Sequence, residues 1–208
     1  MEPHSLLLFI VACLTINMIP GPDVIYIVSN TMQGKIVKGF KAALGLGTGY
    51  VIHTLAACLG LSAIIASSAI AFAAVKWLGA AYLLYLGIQS CRSMWRGESK
   101  IVISEQARPG GNVFLQGVIV SVLNPKVALF FLSFLPQFID GTSASASFQL
   151  LVLGLLFSAL ATLCNLLYAF AGSWLFNRPD SQRYSRTLEG VSGVLLIGLA
   201  GKIALSQR

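Results

Sequence analysis

The apolar run that begins at Ser5 is long enough to cross a bilayer, yet Pro20-Gly21-Pro22-Asp23 breaks it in the middle. A membrane helix needs about 20 apolar residues at about 1.5 Å of rise each. Pro20 and Pro22 carry no N–H, so the carbonyls of Ile16 and Met18 lose their helical partners. An acid, Asp23, follows at once in otherwise apolar surroundings. In hydrocarbon an unpaired carbonyl and a bare carboxylate are both costly, so such a break is tolerated where protein buries it or where it lines a cavity. One explanation covers both features: the break belongs to a binding site that the remaining helices enclose.

The rest of the chain agrees with a bilayer setting. Of its 208 residues 56% are hydrophobic and 10% charged, against about 25% charged in a soluble domain. The expected fold is an all-α integral membrane protein with six transmembrane helices. They cover about Ser5 to Ser29, Gly39 to Ile64, Ala69 to Cys91, Asn112 to Leu135, Phe148 to Trp174 and Thr187 to Leu205. Gly45-x-x-x-Gly49 in the second span allows close approach of another helix. Trp77 and Trp95 flank the third at interfacial positions. Glu189 and Lys202 bracket the sixth, and such side chains snorkel to opposite interfaces.

The net charge of +7 is distributed in loops rather than on a face, which excludes nucleic acid as a partner. Lys35, Lys38 and Lys41, then Arg92, Arg96, Lys100 and Arg108, then Arg178, Arg183 and Arg186 fall on one side of a six-span layout. Lys76, Lys202 and Arg208 fall on the other, and the short loop with Asp140 has no basic residue. The positive-inside rule then puts the basic loops in the cytoplasm and both termini in the periplasm. Glu2 and His4 stand where a cleavable signal peptide would be basic, so the first span is expected to stay in the mature protein.

A second break, Asn124-Pro125-Lys126, interrupts the fourth span. Pro125 frees the carbonyl of Ser121, and Lys126 sits where a lysine is expensive. The broken spans are thus the first and the fourth, the openings of two three-helix halves that enter the membrane in opposite senses. One transmembrane domain over 1–208 is expected, with halves of about 1–95 and 112–208 joined by a polar cytoplasmic loop of about 92–111. Interrupted helices at matching positions of inverted halves point to a transporter site near the midplane.

Asp23 and Lys126 are the leading substrate-binding candidates. A buried salt bridge that only fixes helix register is the competing reading, although each charge stands beside a helix-breaking proline. A zwitterionic ligand would use both, its ammonium meeting Asp23 and its carboxylate meeting Lys126 and N–H groups at a half-helix start. Asn17 and Asn124 can either contact the ligand or repair the broken backbone. Asn165 can contact the ligand or bond a neighbouring helix. Asp23 and His53 are the candidate proton carriers, with a neutral, hydrogen-bonded imidazole as the other reading of His53. No metal site or cofactor is expected.

With these residues placed, the chain resembles the LysE/RhtB family of bacterial amino-acid exporters along nearly its whole length. The resemblance rests on Pro20-Gly21-Pro22-Asp23, the glycine-rich start of the second span, Lys76-Trp77-Leu78-Gly79-Ala80-Ala81-Tyr82-Leu83 with Leu86-Gly87, Asn124-Pro125-Lys126, and Leu135-Pro136-Gln137-Phe138. Asp23 argues against assuming the homoserine/threonine branch, which often has other residues there. The resemblance implies a proton-driven secondary exporter, not an enzyme, carrying amino acids or close derivatives across the inner membrane. Substrates in such a family run from lysine and arginine to threonine, homoserine, leucine and cysteine. Asp23 is the one acid well inside the spans, which favours a neutral amino acid.

Two other classes compete. A transmembrane thiol–disulfide relay would need cysteines that meet, ideally at the breaks, and Cys13, Cys58, Cys91 and Cys164 lie elsewhere. An ion or metal exporter is the weaker rival, because the spans hold few carboxylates and no Cys/His cluster. No G-x-x-x-x-G-K-[ST] motif is present for ATP. Oligomeric state is left open, a homo-oligomer included.

Overall fold

A computed structural model describes residues 3–19, 21–61, 69–96, 111–139, 146–175, 187, 190–198 and 200–201, and these are helical or in short turns with no strand among them. Of the polar loop expected over about 92–111, residues 92–96 are the helical end of Ala69–Arg96, while 97–110, the loops with Asp140 and with Arg178, Arg183 and Arg186, and Pro20, Glu189 and Lys202 lie outside the described residues, as does the side chain of Lys76.

Helix α1, Pro3–Met18, ends where the prolines begin. Phe9, Ala12, Cys13 and Ile16 form its buried stripe, while Leu7, Val11, Leu14 and Met18 are exposed. The spacing of both stripes is helical. The exposed stripe is as apolar as the buried one, as expected of a helix with hydrocarbon for a solvent.

Helix α2 runs over Pro22–Ala56 and ends in a π-helical turn, Ala57–Leu61. It is not straight. The Tyr50 hydroxyl lies 3.5 Å from Asp23 Oδ2, whereas a straight helix would separate those residues by about 40 Å. A Cβ on Gly39 would press on the Thr31 side chain, so the chain reverses between these two residues. The sequence reading placed a loop with Lys35, Lys38 and Lys41 here, but helical backbone continues to the turn on both sides. Met32-Gln33-Gly34-Lys35-Ile36 holds no proline, so nothing removes a helical N–H at that point.

Helix α3 spans Ala69–Arg96, α4 Val113–Val122 and α5 Pro125–Leu129. A π-helical turn, Phe130–Phe134, and a 3-10 turn, Leu135–Phe138, continue α5. Helix α6 spans Ala146–Leu175. By length and composition Ile36–Gly60 and Ala146–Ala171 can each cross a membrane. Among the described residues up to four crossings result if the bent pairs Ser5–Met18 with Pro22–Met32 and Val113–Val122 with Pro125–Phe138 each count as one.

The second arm of α2 is the axle of the bundle. Gly45 packs against Gly117 of α4 so closely that an added Cβ would stand 3.2 Å from the Gly117 Cα, and Gly49 seats on Ser121 one turn later. On the opposite side Gly47 meets Thr162 of α6, and Thr54 meets Gly154. Small residues let helix backbones approach where no water is present to drive association.

Aromatic packing closes the rest. The π-helical turn widens the backbone, and Phe130, Phe131 and Phe134 all point inward from it. Phe130 stacks on Phe157 of α6 with ring centres 4.4 Å apart, and Phe9 of α1 sits 5.1 Å from Phe138.

Candidate functional site

Both breaks are built to one plan, a capping residue, a proline at the first helical position and a charged residue at the second. At the first, Gly21 is extended and its carbonyl accepts from Ile25 N–H at 3.0 Å, while Pro22 and Asp23 open α2. Proline is pre-shaped for that first position, where its missing N–H is no loss. At the second, Asn124 Oδ1 accepts from Lys126 N–H at 3.0 Å, and Pro125 opens α5. The chain bends by 55° across the first pair of helices and by 47° across the second.

Two of the orphaned carbonyls, those of Met18 and Ser121, receive donors from neighbouring helices. Tyr168 of α6 donates its hydroxyl to the Met18 carbonyl at 3.2 Å. The Ser121 carbonyl accepts from Asn124 N–H at 3.1 Å and from His53 Nε2 at 3.2 Å, so this ring nitrogen carries the hydrogen. Lys126 Nζ donates to the Ile19 carbonyl at 3.2 Å, which ties the second break to the first.

Those breaks meet at an ion pair. Lys126 Nζ lies 3.2 Å from both carboxylate oxygens of Asp23, and the two side chains are 7% and 1% exposed. Both charges are dehydrated, so each depends on the other. Gly21 makes room for them: an added Cβ would stand 2.8 Å from Asp23 Oδ1 and 3.1 Å from Lys126 Nζ. Behind the pair, Tyr50 Oη reaches Asp23 Oδ2 at 3.5 Å, and Asn165 Nδ2 donates to Tyr50 Oη at 2.9 Å. Because Asn165 occupies the oxygen as a donor, the hydroxyl hydrogen of Tyr50 is left for Asp23.

A cavity of about 300 Å³ opens in front of the pair. Ile19, Gly21, Pro22 and Ile25 wall it from the first break, and Asn124, Pro125 and Lys126 from the second. One face of α3 supplies the rest of the lining. Lys126 is thus at the wall, with Asp23 behind it. The Asn124 Nδ2 group is buried and has no partner among the described residues, leaving two N–H donors beside the lysine.

The structure therefore brings Asp23, Lys126, Gly21, Pro22, Asn124 and Pro125 to one place and puts Asn165 one hydrogen bond behind them. Asn17 is turned away, its Nδ2 donating to the Cys13 carbonyl of its own helix at 2.7 Å. His53 is stacked on Phe131 with ring centres 5.6 Å apart and serves the second break from behind. Tyr50, Tyr168 and the α3 face escaped the sequence reading. A signal for the last exists: Tyr82, Leu86, Gln89 with Ser90, and Ser93 recur at helical spacing and carry polar groups into an apolar span.

The profile of the LysE type translocators matches residues 14–207. Among curated proteins, the uncharacterized membrane protein YrhP of Bacillus subtilis (strain 168) is 34% identical over 98% of this chain and 100% of its own length. A leucine efflux protein of Salmonella typhimurium is 28% identical over 96% of this chain and 94% of its own. An uncharacterized membrane protein of Pseudomonas aeruginosa is 28% identical, with 94% of this chain and 93% of its own covered. No solved structure matches. With that profile spanning nearly the whole chain and the Bacillus relative aligned end to end, the chain belongs to the family of LysE type translocators.

Proposed function

We propose that this protein is a secondary, proton-coupled exporter of a neutral amino acid across the bacterial inner membrane, with its substrate site at the Asp23–Lys126 pair. The observation that carries the proposal is the buried ion pair at the junction of two proline breaks, beside a cavity of about 300 Å³. That volume is at the small end of ligand sites, the scale of a single amino acid. Family membership and the leucine efflux relative support an amino acid as cargo.

In this reading the substrate carboxylate takes the free donors of Asn124 and then Lys126, which loosens the internal pair. The ammonium replaces Lys126 on Asp23. A proton arriving at Asp23 from outside removes the anion that holds the ammonium, and the substrate leaves. The proton departs to the cytoplasm as Asp23 and Lys126 pair again, so one proton enters for each substrate exported. Tyr50, held by Asn165, steadies the carboxylate throughout. His53 and Tyr168 brace the breaks. The fold that suits this cycle has six spans as two inverted halves, with the basic loops cytoplasmic.

Efflux from cells loaded with a mixture of amino acids tests the proposal, with and without a protonophore. Asp23→Asn and Lys126→Met would be compared at matched membrane levels. Selective efflux lost in either variant and with the protonophore is expected. Efflux at the parent rate in both variants would overturn the site, and no selective efflux from the parent protein would overturn the function. A variant with all four cysteines replaced by serine is expected to keep transport, and its loss would favour a thiol relay.

A further inference from the structure

The two breaks supply groups for an amino acid's charged head, yet they make only part of the cavity wall. The remainder is one face of α3, where Tyr82, Leu86, Gln89, Ser90 and Ser93 line the same space as Lys126. Apart from the adjacent Gln89 and Ser90, neighbouring positions differ by three or four residues along the helix, the spacing of a single face. They are neither solvated surface nor fully packed core. Ser90 and Ser93 are buried, while Tyr82, Leu86 and Gln89 are half-buried. No acidic residue is among the described lining residues.

We infer that this α3 face is the specificity-determining wall of the site, reading the substrate's side chain while the breaks hold its ammonium and carboxylate. The inference rests on the site proposed above. Once the carboxylate is anchored by Asn124 and Lys126, the α-carbon substituent has the rest of the cavity to enter. Leu86, with Ile25 in the same cavity wall, gives that substituent an apolar contact and sets the length that fits. Gln89 and Ser90 sit one turn further along and carry polar groups towards its far end. A side-chain ammonium or guanidinium would meet no counter-charge there, because the carboxylate of Asp23 is engaged at the head. The wall accordingly selects neutral side chains up to about the size of leucine and disfavours lysine and arginine.

The test is the relative efflux of alanine, leucine, phenylalanine and lysine from loaded cells expressing the parent protein, Leu86→Ala, Leu86→Phe or Gln89→Leu. A methylene gained or lost in an apolar pocket changes discrimination by roughly tenfold or more. Leu86→Ala is therefore expected to raise phenylalanine relative to leucine by about tenfold, and Leu86→Phe to favour alanine over leucine by a similar factor. Gln89→Leu is expected to shift the balance towards apolar substrates. A mere packing defect would lower all substrates in proportion, so efflux ratios unchanged in all three variants would overturn the inference. Lysine exported by the parent protein as well as leucine would also overturn it. Either result leaves the Asp23–Lys126 site standing, whereas absence of any amino-acid efflux from the parent protein would remove the reading beneath it.

Discussion

Gly21 shows how much of the site depends on a single missing methyl group. Its φ of −130° is open to any residue, so conformation does not require glycine there. Space does: the site of a Cβ is 2.8 Å from the Asp23 carboxylate. Gly21→Ala is expected to push the carboxylate off Lys126, lowering efflux and the thermal midpoint of the purified protein together. An alanine variant with parental efflux would show that the pair can shift without consequence. Asp23 and Lys126 themselves were legible in the sequence, since an ionisable group inside an apolar run is expensive wherever it points. Their contact was not, because about a hundred residues lie between them. Tyr50 was illegible for a different reason: its amphipathic ring suits a membrane span as well as a site, and only the fold places its hydroxyl on Asp23.

At the scale of the helix, the breaks were readable from proline chemistry, and so were the carbonyls it orphans at Met18 and Ser121. Apart from Asn124 N–H on Ser121, what receives those carbonyls comes from other helices and leaves no local mark. Tyr168→Phe removes the donor to Met18 and is expected to cost about 1 kcal/mol, seen as a lower thermal midpoint in detergent. No change would mean that the carbonyl finds another partner. His53 can be separated from a proton carrier by His53→Gln, which keeps an N–H for Ser121 but has no titration near neutral pH. A brace predicts that transport and its pH dependence both persist, and a carrier predicts that the pH dependence disappears. The reversal between the first two spans was readable, since Lys35, Lys38 and Lys41 separate two apolar runs, although helical backbone runs up to it on both sides. The π-helical turn after α5 was not, being a shift of one residue in hydrogen-bond register that composition does not encode.

The whole molecule presents apolar stripes outward as well as inward. Leu44, Val51 and Leu55 on α2 and Val152, Leu155 and Leu163 on α6 are exposed while small and aromatic residues fill the interior. Composition alone foretold this, since 10% charge cannot coat a water-soluble surface. Leu155→Arg tests the bilayer assignment. At mid-membrane an arginine costs roughly 2.5–3.5 kcal/mol on insertion scales, so the inserted fraction should fall sharply. On a watery surface the same change would alter stability by no more than about 0.5 kcal/mol.

The central claim is that Asp23 and Lys126 are paired for transport and not merely for packing. Each single neutralisation leaves a lone buried charge, which costs roughly 3–5 kcal/mol, so single variants cannot separate the two roles. The double variant Asp23→Asn/Lys126→Met leaves none. Its proton-driven efflux of leucine from proteoliposomes, measured beside the parent protein with the folded fraction matched, decides between them. We predict that the double variant recovers the stability lost in the single ones and still exports nothing. Efflux restored to the parent rate would make the pair a structural bridge and contradict the account.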